Sequence, residues 1–249
     1  MLKTRNFTAI LMAVIFAAVA VLIVPTKSNA VGSDNRKNAK AVSVEQPLNL
    51  AILIQDDLES RVGNELGVTK DFIRSLPAGS RVMVGYITTG SLQVRQQFTT
   101  DLDKAAGSLR IPRASESASP YNPYIEVIEA LKKFDEGGNN RNAILLISDG
   151  LDVSRGFDAT SAGNTVDLKR AIREANRRNV AIYSFYAPSE EGLTSRNHTA
   201  ASYGQSSLNR LSNETGGRAF FQGTTGFVTF DSYFDRLRET LNEQYAKAY

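Results

Sequence analysis

Two unbroken apolar runs, each ending in an aspartate, constrain this chain more than any other feature: Leu48-Asn49-Leu50-Ala51-Ile52-Leu53-Ile54-Gln55-Asp56 and Ala143-Ile144-Leu145-Leu146-Ile147-Ser148-Asp149-Gly150. Runs without polar alternation are strands covered on both faces, which is the situation in a parallel sheet sandwiched between helices. Open sheets of this kind bind ligands at the carboxyl ends of their strands. The first expectation is therefore that Asp56 and Asp149 are delivered to one crevice.

Strand and helix patterns alternate from the first run onward. Val62, Leu66, Ile73 and Leu76 recur at helical spacing and stop at Pro77-Ala78-Gly79,. Arg81 to Thr88 reads as a second buried strand, and Thr89-Gly90-Ser91 as a hairpin connection. Beyond it Leu92, Val94 and Phe98 alternate with Gln93, Arg95 and Gln97, the pattern of a half-exposed antiparallel edge strand. A helix is expected over Tyr124 to Phe134, followed by the Asp149 strand. Thr165 is placed to cap a helix carrying Leu168, Ala171, Ile172 and Ala175,. Val180 to Tyr186 forms a fifth strand, and Pro188 to Gln205 reads as a long polar loop,. Leu208 and Leu211 then belong to a short helix ending at Gly216-Gly217, and Ala219-Phe220-Phe221 to a short sixth strand. Asp231 can cap a last helix with Phe234, Leu237, Leu241 and Tyr245 on one stripe,. Together these predict six strands, mostly parallel with one antiparallel edge strand, in a three-layer α/β fold with helices on both faces.

The first thirty residues belong to a different class. Lys3 and Arg5 precede an apolar stretch from Phe7 to Val24, and Ser28-Asn29-Ala30 supplies the small residues that suit cleavage before Val31,. The stretch is also just long enough to span a bilayer. A cleaved signal and a retained anchor both fit, the small residues favour cleavage, and either predicts export: secreted, periplasmic or membrane-anchored facing outward. Residues 31–46 read as a flexible polar linker and 47–249 as the folded domain. The formal net charge of +3 equals the contribution of Lys3, Arg5 and Lys27 in the acid-free leader, so the remainder is formally neutral. Neither a nucleic-acid partner nor an anionic lipid surface is implied, and contact with a membrane is expected only through the leader. With no cysteine, thiol catalysis, zinc thiolates and iron–sulfur chemistry are excluded.

Phe98-Thr99-Thr100-Asp101 after the reversed strand, Leu145-Leu146-Ile147-Ser148-Asp149-Gly150-Leu151-Asp152, Thr215-Gly216-Gly217-Arg218-Ala219-Phe220 and the tail Gln244-Tyr245 with Tyr249 occur in the order and spacing of a known family. In these pieces the chain, from about Leu48 to Tyr249, resembles the von Willebrand factor type A domain, particularly its bacterial secreted group. The resemblance implies a Rossmann-like three-layer fold and a protein-binding module working through the carboxyl-end face. It also implies a metal-ion-dependent adhesion site, built from Asp-x-Ser-x-Ser after the first strand, a later threonine and an aspartate after the fourth strand. Carried onto this chain, the ligands fall on Asp56, Ser60, Asn122 and Asp149, with Ser119 the less favoured alternative to Asn122, and the ion would be Mg2+ or Mn2+. Leu58 stands where the first serine belongs and offers no oxygen. Because magnesium wants about six oxygens in near-octahedral geometry, that departure predicts a weakened, degenerate site.

Other chemistry has less support. Asp56 and Asp149 can instead simply accept backbone amides, with no ion. A phosphatase-like hydrolase on a similar sheet, with Asp56 as nucleophile and Asp149 holding magnesium, lacks an acid at Leu58,. His198 is the sole histidine and sits in a polar stretch, which leaves a Ser-His-Asp triad with little support. No glycine-rich phosphate loop follows the first strand. We therefore expect a non-enzymatic module that binds a protein partner at the carboxyl-end face, with a metal-independent structural module as a further alternative.

Overall fold

Leu48–Gln55 (β1) is buried at every position, and the sheet topology explains why. A computed structural model describes residues 43–113, 122–135, 140–156, 165–190, 193–221 and 229–248. The other strands are Arg81–Thr88 (β2), Ser91–Thr99 (β3), Arg141–Ser148 (β4), Val180–Tyr186 (β5) and Ala219–Phe220 (β6), in the order β3-β2-β1-β4-β5-β6. All neighbouring pairs are parallel except β2 with β3. β1 and β4 are thus central, while β3, at one edge, alternates between exposed and half-buried residues. This is the predicted six-strand sheet with a single reversed edge strand.

Strand parity divides the core into two layers. Leu50, Ile52 and Ile54 face Leu66–Arg74 (α1), Leu102–Gly107 (α2) and Asp231–Ala248 (α7), where Phe72, Ile73, Phe234 and Leu237 are buried with them. Ala51 and Leu53 face Pro123–Leu131 (α3), Val166–Arg177 (α4) and His198–Glu214 (α6), with Tyr124, Val127, Leu168, Ile172, Leu208 and Leu211. The remaining helices are a 3-10 turn over Ser60–Glu65 and the short Leu193–Arg196 (α5). Among the described residues no helix is long and apolar enough to cross a membrane.

Capping follows the sequence at Thr165, whereas Asp231, expected as a cap, is the first residue of α7. The Thr165 hydroxyl accepts from Leu168 N to start α4, and Asp101 accepts from Lys104 N to start α2, a short helix that apolar spacing did not announce,. On the α7 stripe Phe234, Leu237 and Leu241 are buried, whereas the side chain of Tyr245 lies outside the described residues. So do the leader, the linker through residue 42, Ser119 and Tyr249.

Two expectations change. The stretch read as flexible linker is packed at its end: Val44 is buried in the α1/α7 layer, and Asn242 brackets it by accepting from Glu45 N and donating to the Ser43 carbonyl. The long loop expected over Pro188–Gln205 is mostly helical, comprising α5 and the first half of α6. Its small polar residues hid it, because α6 buries Ala200, Ala201, Gly204, Ser207 and Ser212 beside Leu208 and Leu211, giving no continuous apolar stripe. Asn197 caps it by accepting from Thr199 N and Ala200 N.

Glycine lets α6 meet the sheet backbone to backbone. A Cβ on Gly204 would lie 1.9 Å from the Asp149 carbonyl oxygen, and Gly150 opposite has φ 71° with Gly204 O in the way of any side chain,. Gly204→Ala is expected to cost about 3 kcal/mol by forcing the two backbones apart, read as a lower midpoint in urea unfolding.

Candidate functional site

Parity also decides where the acids go. Gln55 ends β1 on the α3/α4/α6 side, so Asp56 emerges on the α1/α7 side and Asp57 returns to the first. All three are buried. Asp56 is held by main-chain bonds: its N donates to Ile87 O at 2.9 Å, and its carbonyl accepts from Arg113 N at 2.7 Å. Its carboxylate receives the fork of Arg110, with Nη1 donating to Oδ1 at 2.5 Å and Nη2 to Oδ2 at 2.8 Å. Arg113 adds its backbone N at 3.2 Å from Oδ1 and its Nε at 3.6 Å from Oδ2.

Tyr86 fixes that arginine. Its hydroxyl donates to Arg110 O at 2.6 Å and accepts from Arg110 N at 2.8 Å, while the guanidinium carbon lies 3.9 Å from the ring centroid. The Asp56 carboxylate, burial notwithstanding, pushes the Arg110 pKa up, so the guanidinium is a permanent charge. Burial likewise raises the Tyr86 phenol, which stays protonated and able to donate. Removing one member of a buried ion pair leaves the other uncompensated, typically at about 3–5 kcal/mol.

The second acid pair is Asp57 with Asp149. Gln55 joins them: its Nε2 donates to Asp57 Oδ1 at 2.8 Å, and its Oε1 accepts from Ser148 Oγ at 2.5 Å and Asp149 N at 3.2 Å. Asp149 accepts from Leu151 N and from Thr194 Oγ1, both at 3.1 Å. Since the Thr194 proton goes to Asp149, Ser189 Oγ, 2.8 Å away, is the donor to Thr194,. Burial first, then the Asp57 charge, push the Asp149 pKa up to about 7. The Tyr186 hydroxyl, pushed up by burial and by the charges of Asp149 and Glu59, is buried with no hydrogen-bond partner among the described residues. Glu59 is also raised, by burial and, beyond the opposing pull of Arg61, by Glu190.

The loop after β1 closes against the loop after β5. Glu59 N donates to Pro188 O, Glu190 N to Asp57 O, and Leu58 bridges Ser189. Leu58 is thereby fully buried in the α1/α7 core, a wall residue of the crevice.

Of the four residues expected as metal ligands, Asp56, Asn122 and Asp149 have side chains engaged elsewhere. Both Asp56 oxygens are on Arg110. Ser60 opens the 3-10 turn and gives its backbone N to Glu190 Oε2 at 2.7 Å. Asn122 caps α3, accepting from Tyr124 N at 3.0 Å and donating to Asp167 at 2.8 Å, which ties the starts of α3 and α4 together. Asp149 faces Thr194. A divalent ion at Asp56 would compete with a guanidinium already making two hydrogen bonds, beside a leucine, so this donor set does not fit an octahedral ion. Among the described residues no three Asp, Glu or His side chains are grouped to hold a metal. Sequence reading missed Arg110, Tyr86, Gln55 and Thr194, and it left Asp57 between an approach to the ion and a solvated loop charge, whereas the structure buries it. Of the missed residues only Gln55 carried a signal, standing beside Asp56 at the end of an apolar run.

Four large apolar side chains are exposed at the same end of the sheet. The exposed large hydrophobic residues among those described are Ile111 (61% exposed), Val166 (55%), Ile125 (45%) and Phe221 (37%). Ile111 follows the arginine bound to Asp56, Ile125 and Val166 lie in the first turns of α3 and α4, and Phe221 directly follows β6. All four stand at the carboxyl end of the sheet.

Strand order, the reversed edge strand and the two helical layers are those of the von Willebrand factor type A fold, and the chain has this fold. Among solved structures it is similar to a conserved hypothetical protein, BatB, from Bacteroides thetaiotaomicron, at 11% identity and TM-score 0.55, covering 80% of this chain and 99% of that one. It is likewise similar to an aerotolerance-related membrane protein from Bacteroides fragilis carrying multiple mutations to serines, at 12% identity and TM-score 0.50, covering 78% and 99%. At such identities the likeness is one of fold. No protein-family model and no curated protein matches the chain.

Two outcomes are expected. Leu58→Ser, which would restore the hydroxyl that the resemblance calls for, removes a buried core side chain and should cost about 2–5 kcal/mol, measured by urea unfolding. Asp149 binds its proton more tightly folded than unfolded. Its contribution is therefore fully present below the ordinary value of 3.8 and is lost as pH rises through about 7,. Asp149→Asn should accordingly flatten the fall in stability between pH 5 and pH 8, and unfolding curves at the two pH values give the comparison.

Proposed function

We propose that this chain is an exported, non-catalytic protein-binding module whose partner docks on the carboxyl-end face. The observation that carries the reading is the placement of Ile111, Ile125, Val166 and Phe221 at one end of the sheet. Isolated exposed apolar side chains are ordinary on any surface. Their position at the same end of the sheet as a polar, internally bonded centre supports a docking surface, in which apolar anchors supply affinity and the polar groups supply register. The charged leader and apolar stretch of residues 1–30 support export.

The phosphatase reading is less well supported. A nucleophilic carboxylate needs a free lone pair aimed at phosphorus, and both Asp56 oxygens accept from Arg110,. The general acid expected two residues on is replaced by the buried Leu58.

The test is crosslinked capture from the native envelope, comparing wild type with Ile111→Glu, Ile125→Glu and, at the opposite end of α3, Lys132→Glu. Loss of an apolar anchor should weaken capture at least about tenfold, with the melting temperature unchanged and Lys132→Glu behaving as wild type. Capture indifferent to Ile111→Glu and Ile125→Glu would instead favour a structural module with contacts elsewhere. Magnesium-dependent release of phosphate from an activated ester, abolished by Asp56→Asn, would sink the binding reading in favour of an enzyme.

A further inference from the structure

We infer that Arg110 is a built-in cation at the carboxyl end of β1: it supplies from within the chain the positive charge that the resemblance assigns to a divalent ion, and the face is complete without metal. The argument starts from Asp56, whose carboxylate is fully buried and so requires a countercharge,. Two kinds of countercharge are available to a protein, an ion bound from solvent or a side chain. Here the choice is made by geometry. The guanidinium is planar and presents two parallel N–H bonds to the two carboxylate oxygens, at 2.5 and 2.8 Å, the bidentate arrangement in which arginine binds carboxylate most strongly.

Two further features hold the cation in place, and a third binds the same carboxylate. Tyr86 lies under the guanidinium at 3.9 Å and clamps the arginine main chain through both its N and its O. Arg110 Nη1 also donates to Ile111 O at 3.0 Å, closing the turn that carries it. Arg113 adds its amide and its Nε to the same carboxylate. A cation fixed by so many bonds cannot be displaced by millimolar magnesium without breaking all of them. On the ligand side, the position of the first serine is filled by the buried Leu58, and Asn122 spends its side-chain amide on Tyr124 N and Asp167.

The inference stands apart from the partner-binding reading, since its readouts are ion binding and melting. The full chain is titrated with Mn2+, followed by its free-ion electron paramagnetic resonance signal, and melted with Mg2+, with Mn2+ and with EDTA. Wild type should bind no Mn2+ at 1 mM and melt at one temperature in all three. Arg110→Ala should melt about 10 °C lower, because a buried carboxylate loses its countercharge. Adding Asp56→Asn to Arg110→Ala should recover most of that loss, since the charge and not the packing is what the arginine answers. If Arg110→Ala fails to fold, the double variant decides alone: it folds if the inference is right. Mn2+ uptake by wild type, an Arg110→Ala melting within a degree of wild type, or an Asp56→Asn addition that recovers nothing would each overturn it.

Discussion

A strand covered on both faces has no side that water can reach, and this constraint on β1 governs everything at its carboxyl end. Every residue leaving β1 must enter one helical layer or the other, and a one-residue step switches layers. Asp56 is therefore sent into the α1/α7 layer and Asp57 into the layer of α3, α4 and α6. Neither can remain there as a bare charge. The protein answers the two problems differently: an arginine for Asp56, and for Asp57 an amide bridge through Gln55 to an aspartate that is itself held near its protonated state.

The same constraint turns Leu58 from an apparent defect into a structural residue. With Asp56 neutralised internally, the loop beyond it has no ion to surround, and it pairs instead with the loop after β5, using leucine to seal the core beneath. The crevice is thus closed by backbone bonds and a hydroxyl relay from Ser189 through Thr194 to Asp149.

Much of the architecture was legible in the sequence because burial writes itself as periodicity. β1, β4 and β5 are mostly apolar with no polar alternation, β3 alternates because one face of an edge strand is partly wet, and Thr165 announces α4 by its position before a helical stripe. The first half of α6 was not legible, since its contact with the sheet is made by glycine, alanine and serine, the residues that also compose loops. The site was legible only in part. Asp56 and Asp149 end their strands as expected, but the shared crevice belongs to Asp57 and Asp149. The partner of Asp56 lies 54 residues away, in a stretch between helix and loop whose arginine differs in no local respect from other surface arginines. Pairing of that range is a product of tertiary packing, and one sequence carries no local trace of it.

The last helix completes a layer that begins with the first strand. Asn242 joins Glu45 across 197 residues, Phe234 stacks on Phe72, and Arg141 donates to Leu241 O and Gln244 Oε1, with Gln244 also bonded to Tyr183 and Gly216. Until residues 231–244 have been synthesised, this layer holds α1 and α2 but lacks the third of its covering helices. The layer therefore closes only through contacts spanning nearly the whole domain, so its completion is a late, long-range event in folding.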